Sequence, residues 1–186
     1  MSPLYIGIGI LVVLLLIIIG IYNGLVTAGV RVKEAWSDID IQLKRRFDLI
    51  PNLVNTVKGS TNFESSTLEK VIAARSAGMG AKTPAEIGQA DTQMRGALNG
   101  FFALAESYPD LKSNQNFIEL QEELSDTENK IQAARRFYNS VVTDFNTKIA
   151  TFPSNIFASM FSFKQAEFFE LGSNDQAAKD PVQVSF

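Results

Sequence analysis

The chain contains neither cysteine nor histidine among its 186 residues. The absence of cysteine excludes disulfide bonds and Cys-based metal sites, although it does not fix the cellular compartment. The absence of histidine excludes His-based acid–base catalysis and also the Glu-x-x-His metal motif of di-iron helical bundles. A net charge of −3 gives no reason to expect a nucleic-acid partner.

Catalytic motifs are missing as well. The sequence has no Gly-rich phosphate loop and no Ser-centred nucleophile motif. The remaining candidates are carboxylates that are neighbours in sequence, Asp38 with Asp40 and Glu122 with Glu123, and such neighbours do not face one another on a helix. We therefore expect no catalytic, cofactor-binding or metal-binding residue, and a carboxylate-based enzyme is the least favoured function.

Charge is absent from the first part of the chain. No acidic or basic side chain precedes Arg31, and residues 4–22 are almost wholly apolar. As a helix these residues span about 28 Å, close to the hydrocarbon thickness of a bilayer. The run is longer than the roughly 7–15 apolar residues of a secretory signal and no basic residue precedes it. An uncleaved membrane anchor over residues 1–24 is therefore favoured over a signal peptide cleaved near residues 26–28.

The charges that follow the anchor predict its orientation. Arg31 and Lys33 lie after the apolar run, whereas only the α-amino group lies before it. The positive-inside rule then places the N-terminus outside and the following domain in the cytoplasm.

Small residues recur at the end of the apolar run. Gly20, Gly24 and Ala28 are spaced four residues apart and form one ridge on a helix. Such small-xxx-small ridges allow two helices to approach closely in lipid. The alternative is that glycine is simply common in membrane helices. We interpret the ridge as a possible site of self-association.

The rest of the chain predicts an all-α fold. Apolar residues at steps of three and four continue from the anchor through residues 25–57, where Pro51 predicts a kink or short break. A second helix is expected at about 61–76, where "GMG" at 78–80 stops it. A third is expected to begin at the capping box "TPAE" at 83–86, and a fourth to cover 117–150. Residues 25–150 are thus predicted to form a long antiparallel bundle of three to four helices. Its expected inward residues on the first and last helices are Leu25, Ala28, Val32, Trp36, Ile39, Leu43, Phe47, Ile50, Val54, Val57, Phe117, Leu120, Leu124, Thr127, Ile131, Ala134, Tyr138, Val141 and Phe145.

The stretch "WSDIDIQLKRRFDLIPNL" at 36–53 combines charges of both signs. On a helix, Asp38, Gln42 and Arg45 or Arg46 share the side away from Ile39 and Leu43. We expect a solvated surface, with a face for docking a partner as the alternative.

The segment 151–171 is rich in phenylalanine, and residues 172–186 are small and polar and are expected to be a flexible tail. One interpretation is that the segment packs back on the bundle. The alternatives are contact with a partner, with another subunit or with the membrane surface. Whether it lies near or far from the membrane is left open. Its candidate contact residues are Phe157, Phe161, Phe163, Phe168 and Phe169.

Four stretches resemble the LemA family: "AWSDIDIQLKRRFDLIPNLVNTVKG" at 35–59, "VIAARSA" at 71–77, residues 134–171 and the closing "PVQVSF". The resemblance covers nearly the whole chain. It implies a single-pass protein of the bacterial inner membrane with a long-helix bundle, and no established activity. Family genes often lie near genes for membrane proteases or other envelope proteins, which suggests a partner of that kind.

Three functions follow from these observations. The favoured one is a membrane-anchored scaffold or adaptor that forms homo-oligomers or docks envelope proteins. The second is a membrane-remodelling or membrane-binding assembly protein. The third is the carboxylate-based enzyme already described as least favoured.

Overall fold

The fold is all-α, as predicted. The computed structural model describes residues 3–58 and 64–169, and no strand occurs within them. The four long helices match the prediction, and the short α4 and α6 add to it. The predicted tail at 172–186 and most of the capping motif at 61–64 lie outside the described residues. The helices are α1 (Pro3–Lys58), α2 (Ser65–Gly80), α3 (Pro84–Ala105), α4 (Pro109–Lys112), α5 (Gln115–Ala150) and α6 (Ser154–Met160).

The first part of α1 carries the apolar run. Of the described helices, only this one is long and apolar enough to cross a membrane, with a mean hydropathy of 3.1 over its most apolar window. None of that window is buried against the rest of the protein. The helix then continues to Lys58 without interruption, so the apolar segment and the domain share one helix, as the sequence predicted.

Pro51 does not break α1, contrary to one of the two expectations for it. A proline inside a helix has no N–H for the carbonyl four residues earlier, which here belongs to Phe47. That carbonyl accepts a hydrogen bond of 2.8 Å from Nε of Arg75 in α2. An arginine from another helix thus supplies the donor that the proline lacks. The helix therefore passes through Pro51 with its freed carbonyl satisfied.

The described residues form two compact units, to which α1 and α5 both contribute. The first unit contains α1 up to Asp38, the residues of α5 from Arg136 onward, and α6 with the chain up to Glu167. The second unit contains Ile39–Arg135 and the described residues from Phe168. The boundaries predicted from the sequence, at residues 24, 150 and 171, stay a prediction.

A core of buried apolar residues lies in the second unit. Residues of α1, α2, α3 and α5 supply it, and Leu111 of α4 closes one part. Phe101, Phe102 and Phe117 lie in mutual contact there, with ring centroids 5.4–6.3 Å apart. Such edge and tilted ring pairs add to the stabilisation that burial of the rings already gives. The core residues are Ile50, Leu53, Val54, Val57, Leu68, Val71, Ala74, Met94, Leu98, Phe101, Ala105, Leu111, Phe117 and Leu124.

In the first unit, α1 packs against α5. The indole of Trp36 meets the ring of Tyr138 edge-on at 5.2 Å. Gly29, earlier in α1, faces Phe145, and an added Cβ would lie in ordinary van der Waals contact with the ring at 3.5 Å. The predicted inward residue Val141 is half-buried, while its neighbour Val142 is fully buried. The predicted periodicity of α5 is therefore correct to within one residue.

Helix α3 begins at the predicted capping box. Oγ1 of Thr83 accepts from the backbone N–H of Glu86, and the Glu86 carboxylate accepts from the backbone N–H groups of Lys82 and Thr83. The bond from Lys82 is the first cause of a pKa of Glu86 below its ordinary value. The local signal in "TPAE" thus fixed this helix start correctly.

Helix α2 ends at the last residue of "GMG", Gly80, about four residues later than the sequence predicted. Gly78 is needed inside the helix for a steric reason. A Cβ at this position would lie 2.5 Å from Cζ of Phe47, a ring on α1. The glycine therefore marks the close approach of two helices.

We predict that Gly78→Ala destabilises the protein by about 1–3 kcal/mol, because the Phe47 ring has to move within a packed site. Gly96→Ala is the matched control, since Gly96 is exposed in α3 with nothing within 4 Å of an added Cβ. The control is expected to stabilise by about 0.5–1 kcal/mol through helix propensity. Urea unfolding followed by circular dichroism measures both, and equal stabilisation by the two variants would contradict the close approach.

Candidate functional sites

The predicted docking face divides into exposed and buried residues. Asp38 and Arg45 are exposed and Gln42 is half-buried. Arg46 is fully buried, so the expectation that it shares this solvated surface is wrong. Arg45 pairs with Glu123 of α5 at the surface. The docking role of the exposed residues stays a prediction.

Arg46 is the centre of a charge network that joins three helices of the second unit. Its Nη2 lies 2.7 Å from Oδ1 of Asp91 on α3. Its Nη1 donates a hydrogen bond of 2.9 Å to Oε2 of Glu128 on α5. The side chains of Arg46 and Asp91 are each 1% exposed. A charge buried to this degree is tolerated only when it is paired.

Two further arginines complete the network. Nε of Arg95 lies 3.3 Å from Oδ2 of Asp91 and 3.7 Å from Oε1 of Glu128. Nη1 of Arg135 lies 4.0 Å from Oδ2 of Asp91. The contacts of Asp91 with the arginines are ion pairs whose angles do not suit a hydrogen bond. The contact from Arg46 to Glu128 has both the distance and the angle of a hydrogen bond. Three guanidinium groups thus surround two carboxylates.

A sequence signal for this network exists, although the sequence analysis missed it. Ile39, Leu43, Arg46 and Ile50 follow one another at steps of four, three and four, so Arg46 occupies an inward position of α1. On α3, Asp91 lies three residues before the buried Met94 in the same pattern. An arginine and an aspartate at inward positions of two helices predict a buried pair.

The ridge of small residues is only partly open. A Cβ added at Gly20 or Gly24 meets nothing within 4 Å. Ala28, however, is 7% exposed because residues of the first unit cover it. Its expected place in a surface for a second helix is therefore wrong, and the open part of the ridge consists of Gly20 and Gly24.

Two side chains of α5 form hydrogen bonds with the backbone of the chain after α6. Asn146 donates through Nδ2 to the carbonyl of Ala166 at 3.0 Å and accepts through Oδ1 from its N–H at 2.8 Å. The hydroxyl of Tyr138 donates to the carbonyl of Glu167 at 2.8 Å. Burial, followed by the charge of Glu167, raises the pKa of Tyr138. These bonds hold the backbone of residues 166–167 along α5 within the first unit.

The phenylalanines predicted as contact residues have different environments. Phe157 and Phe163 are half-buried, whereas Phe161 and Phe168 are exposed. Phe169 is buried, and its ring centroid lies 5.9 Å from the guanidinium carbon of Arg135 in the second unit. This residue therefore packs within its own chain, and only part of the predicted set is free to contact a partner.

A groove of about 640 Å³ lies between α1 and α5 of the first unit. Its charged lining residues include Arg31, Glu34, Asp38, Asp144 and Lys148. Acidic and basic side chains thus line the same groove. Among the described residues, no group of three or more acidic side chains is arranged to hold a metal ion.

The sequence profile of the LemA family matches residues 35–186. The chain belongs to the LemA family. Protein LemA of Metamycoplasma hominis is 30% identical over 170 residues, which cover 89% of this chain and 76% of that protein. The LemA-family assignment inferred from the four sequence stretches is thereby confirmed.

Magnetosome proteins are also similar to this LemA-family chain. MamQ 2 of Paramagnetospirillum magneticum is 26% identical over 175 residues, covering 80% of this chain and 64% of MamQ 2. MamQ of Magnetospirillum gryphiswaldense is 25% identical over 174 residues, with the same shares covered. The chain thus spans less than two thirds of the length of these magnetosome proteins.

We predict that Asp91→Asn destabilises the protein by about 3 kcal/mol, because it removes a carboxylate from a buried arginine. Glu123→Gln is the matched control, since it removes a carboxylate from the surface pair with Arg45, in which both side chains are 41% exposed. The control should cost less than about 1 kcal/mol. Urea unfolding compares the two, and equal costs would show that burial of the network is unimportant.

A second prediction concerns the contact between Asn146 and Ala166. Asn146→Asp keeps the acceptor for the Ala166 N–H but turns a carboxylate oxygen toward its carbonyl. We expect the hydrogen-exchange protection of the Ala166 amide to fall about tenfold, equivalent to about 1.4 kcal/mol. Asn129→Asp, at an exposed position of α5, should leave this protection unchanged. Unchanged protection in Asn146→Asp would mean that other contacts hold the segment.

Proposed function

We propose that this LemA-family protein is a membrane-anchored, non-catalytic scaffold or adaptor. The observation that carries the proposal is the continuity of α1, which exposes apolar side chains around residues 4–20 and continues as a helix of the domain. An anchor that continues into its domain as one helix limits how freely the domain can move relative to the bilayer. This coupling suits a protein that positions other membrane components.

The proposed location is the bacterial inner membrane, with the N-terminus outside and the helical domain in the cytoplasm. Arg31 and Lys33 after the apolar run support this orientation. A second copy of the chain is one proposed partner, and an envelope protein such as a membrane protease is the other. Nucleic acid is not among the proposed partners.

Self-association is proposed to use the open part of the ridge. Gly20 and Gly24 share one side of α1, and no other described residue of the chain occupies the space beside them. Two helices can approach closely where side chains are this small. In this arrangement the anchors of two copies lie in contact and their domains extend to the same side of the membrane.

Crosslinking of the full-length protein in native membranes, followed by mild extraction and mass analysis, tests the proposal. We expect a crosslinked species that contains only this chain. Gly20→Ile combined with Gly24→Ile should reduce its yield about tenfold, equivalent to about 1.4 kcal/mol, because the isoleucine side chains hold the two helices apart. The control is Gly7→Ile with Gly9→Ile, which adds the same bulk at two glycines that do not share a helix face.

The result of the crosslinking distinguishes a self-associating scaffold from an adaptor that binds another protein. A crosslinked envelope protein would support the adaptor and identify the process. Equal yields from the two double variants would remove the ridge as the contact. A strictly monomeric protein that captures no partner would show that it is not a scaffold.

A membrane-remodelling or membrane-binding assembly is the second candidate function. The observation that favours it is the exposure of large apolar side chains at Phe152, Ile156 and Met160. A membrane-remodelling protein and a membrane-binding assembly protein would both bring these side chains into contact with lipid.

A further inference from the structure

The segment around α6 is unusually apolar for a surface. Residues 149–163 contain no acidic or basic side chain, and the flanking residues are Lys148 and Lys164, both exposed. After the N-terminal run, this is the longest uncharged stretch of the chain. Four large apolar side chains in it are strongly exposed. These are Phe152 at 80%, Met160 at 66%, Ile156 at 51% and Phe161 at 45%.

The exposed side chains lie within α6 and directly beside its two ends. Ile156 and Met160 are four residues apart and therefore lie on the same face of α6, while Phe152 lies in the turn before the helix and Phe161 directly after it. Ala158, on another side of the helix, is 1% exposed. Helix α6 thus packs on its own unit with one side and presents an apolar surface with the other. We call this surface the α6 face.

Contacts within the first unit place α6 at the end of the apolar part of α1. The ring of Tyr22, the last residue of the apolar run, lies 4.8 Å from Phe161 and 6.1 Å from Phe163. Tyrosine at the end of a membrane span is typical of the headgroup level, where its ring and its hydroxyl both find suitable surroundings. The C-terminal end of α6 therefore lies at the level where α1 leaves the lipid.

The backbone holds α6 in this position. The chain reverses after α6 at Ser162, which has a left-handed φ of 58°. The N–H of Phe163 donates to the carbonyl of Ala158 at 2.9 Å, and the N–H of Ser162 donates to that of Ser159 at 3.2 Å. This pair of bonds is the Schellman ending of a helix. With the contact between Asn146 and Ala166, it fixes both ends of residues 161–166.

We propose that the α6 face, formed by Phe152, Ile156, Met160 and Phe161, inserts into the interfacial layer of the membrane that α1 crosses. Burial of these side chains among lipid removes apolar surface from water. Lys148 and Lys164 flank this uncharged stretch in the sequence and are exposed, so their ammonium groups are available to lipid phosphates. The inference rests on the proposed function in one respect, namely that α1 crosses the bilayer.

The consequence is a two-point attachment. A single helix through a bilayer leaves its domain free to rotate about the helix axis. A second contact through α6 fixes one side of the first unit against the membrane. The faces that a partner or a second copy encounters are then restricted to the remaining sides of the unit.

Site-directed spin labelling tests the insertion, because a chain without cysteine accepts one label at a chosen position. Full-length protein is reconstituted in bilayers of phosphatidylethanolamine and phosphatidylglycerol, with labels at Met160→Cys and Ile156→Cys. Leu14→Cys in the apolar run is the reference for lipid, and Met79→Cys, 60% exposed in α2, is the reference for water. Collisions with oxygen, which is enriched in lipid, and with a water-soluble nickel chelate are compared.

We expect the labels at 156 and 160 to collide more with oxygen than with the chelate, as the Leu14 label does, and the Met79 label to show the reverse. Labels at 156 and 160 that behave like the Met79 label, while the Leu14 label lies in lipid, overturn the insertion and leave the anchor intact. If the labels at 156 and 160 are protected from both reagents, the face is covered by protein. A spectral broadening that disappears on dilution with unlabelled protein would then show that two labels lie close together, so that a second copy covers the face instead of lipid. A Leu14 label in water overturns the anchor itself.

Discussion

The burial of Arg46 is the constraint on which the helical arrangement of the second unit depends. A guanidinium group that is 1% exposed requires carboxylates at contact distance, since an unpaired buried charge is strongly destabilising. Asp91 on α3 and Glu128 on α5 supply them. Apolar side chains of similar volume could stabilise the same core, but they pack in many ways. The charges are paired only in a packing that brings these three positions close together, which restricts the register of α1, α3 and α5.

The residues next to Arg46 make the contacts with the remaining long helix. The carbonyl of Phe47 lacks its helical partner because of Pro51, and it accepts from Arg75 of α2. The ring of Phe47 occupies the space beside Gly78, also on α2. Two consecutive residues of α1 therefore contact three different helices. Arg46 contacts α3 and α5 through its side chain, and Phe47 contacts α2 through its ring and its backbone carbonyl. The charged stretch at 36–53 is thus a packing centre on one side and a solvated surface on the other.

Local signals were sufficient for the parts of the fold that depend on neighbours in sequence. The capping box of Thr83 and Glu86 and the periodicity of α5 are complete within a few helical turns, and both predictions are correct. The features that were missed depend on residues far apart in the chain. Gly78 resembles a helix stop until the Phe47 ring is known to lie against it. Arg46 resembles a surface charge until Asp91 and Glu128 are brought to it.

The candidate sites show the same division. An added Cβ at Gly20 or Gly24 meets nothing within 4 Å, but Ala28 at the next step of the ridge is covered by its own unit. Of the phenylalanines near the C-terminus, Phe169 is internal and Phe161 is exposed, although composition treats them alike. Their positions in the fold distinguish them. The contact with Tyr22 places Phe161 at the end of the apolar run, and no periodicity in the sequence predicts a contact between residues so far apart in the chain.

The distribution of polar and apolar contacts bears on the kind of function to be expected. The charges of the buried Arg46 and Asp91 pair with each other, and the half-buried Asn146 is hydrogen-bonded within the chain. The densest groups of exposed large apolar side chains lie in residues 4–19 and 152–161. Exposed apolar surface of this extent is typical of contact with lipid or with another protein, rather than of binding a small polar substrate. Since α1 and α6 meet at Tyr22, the two groups lie next to each other, and a single membrane surface can cover both.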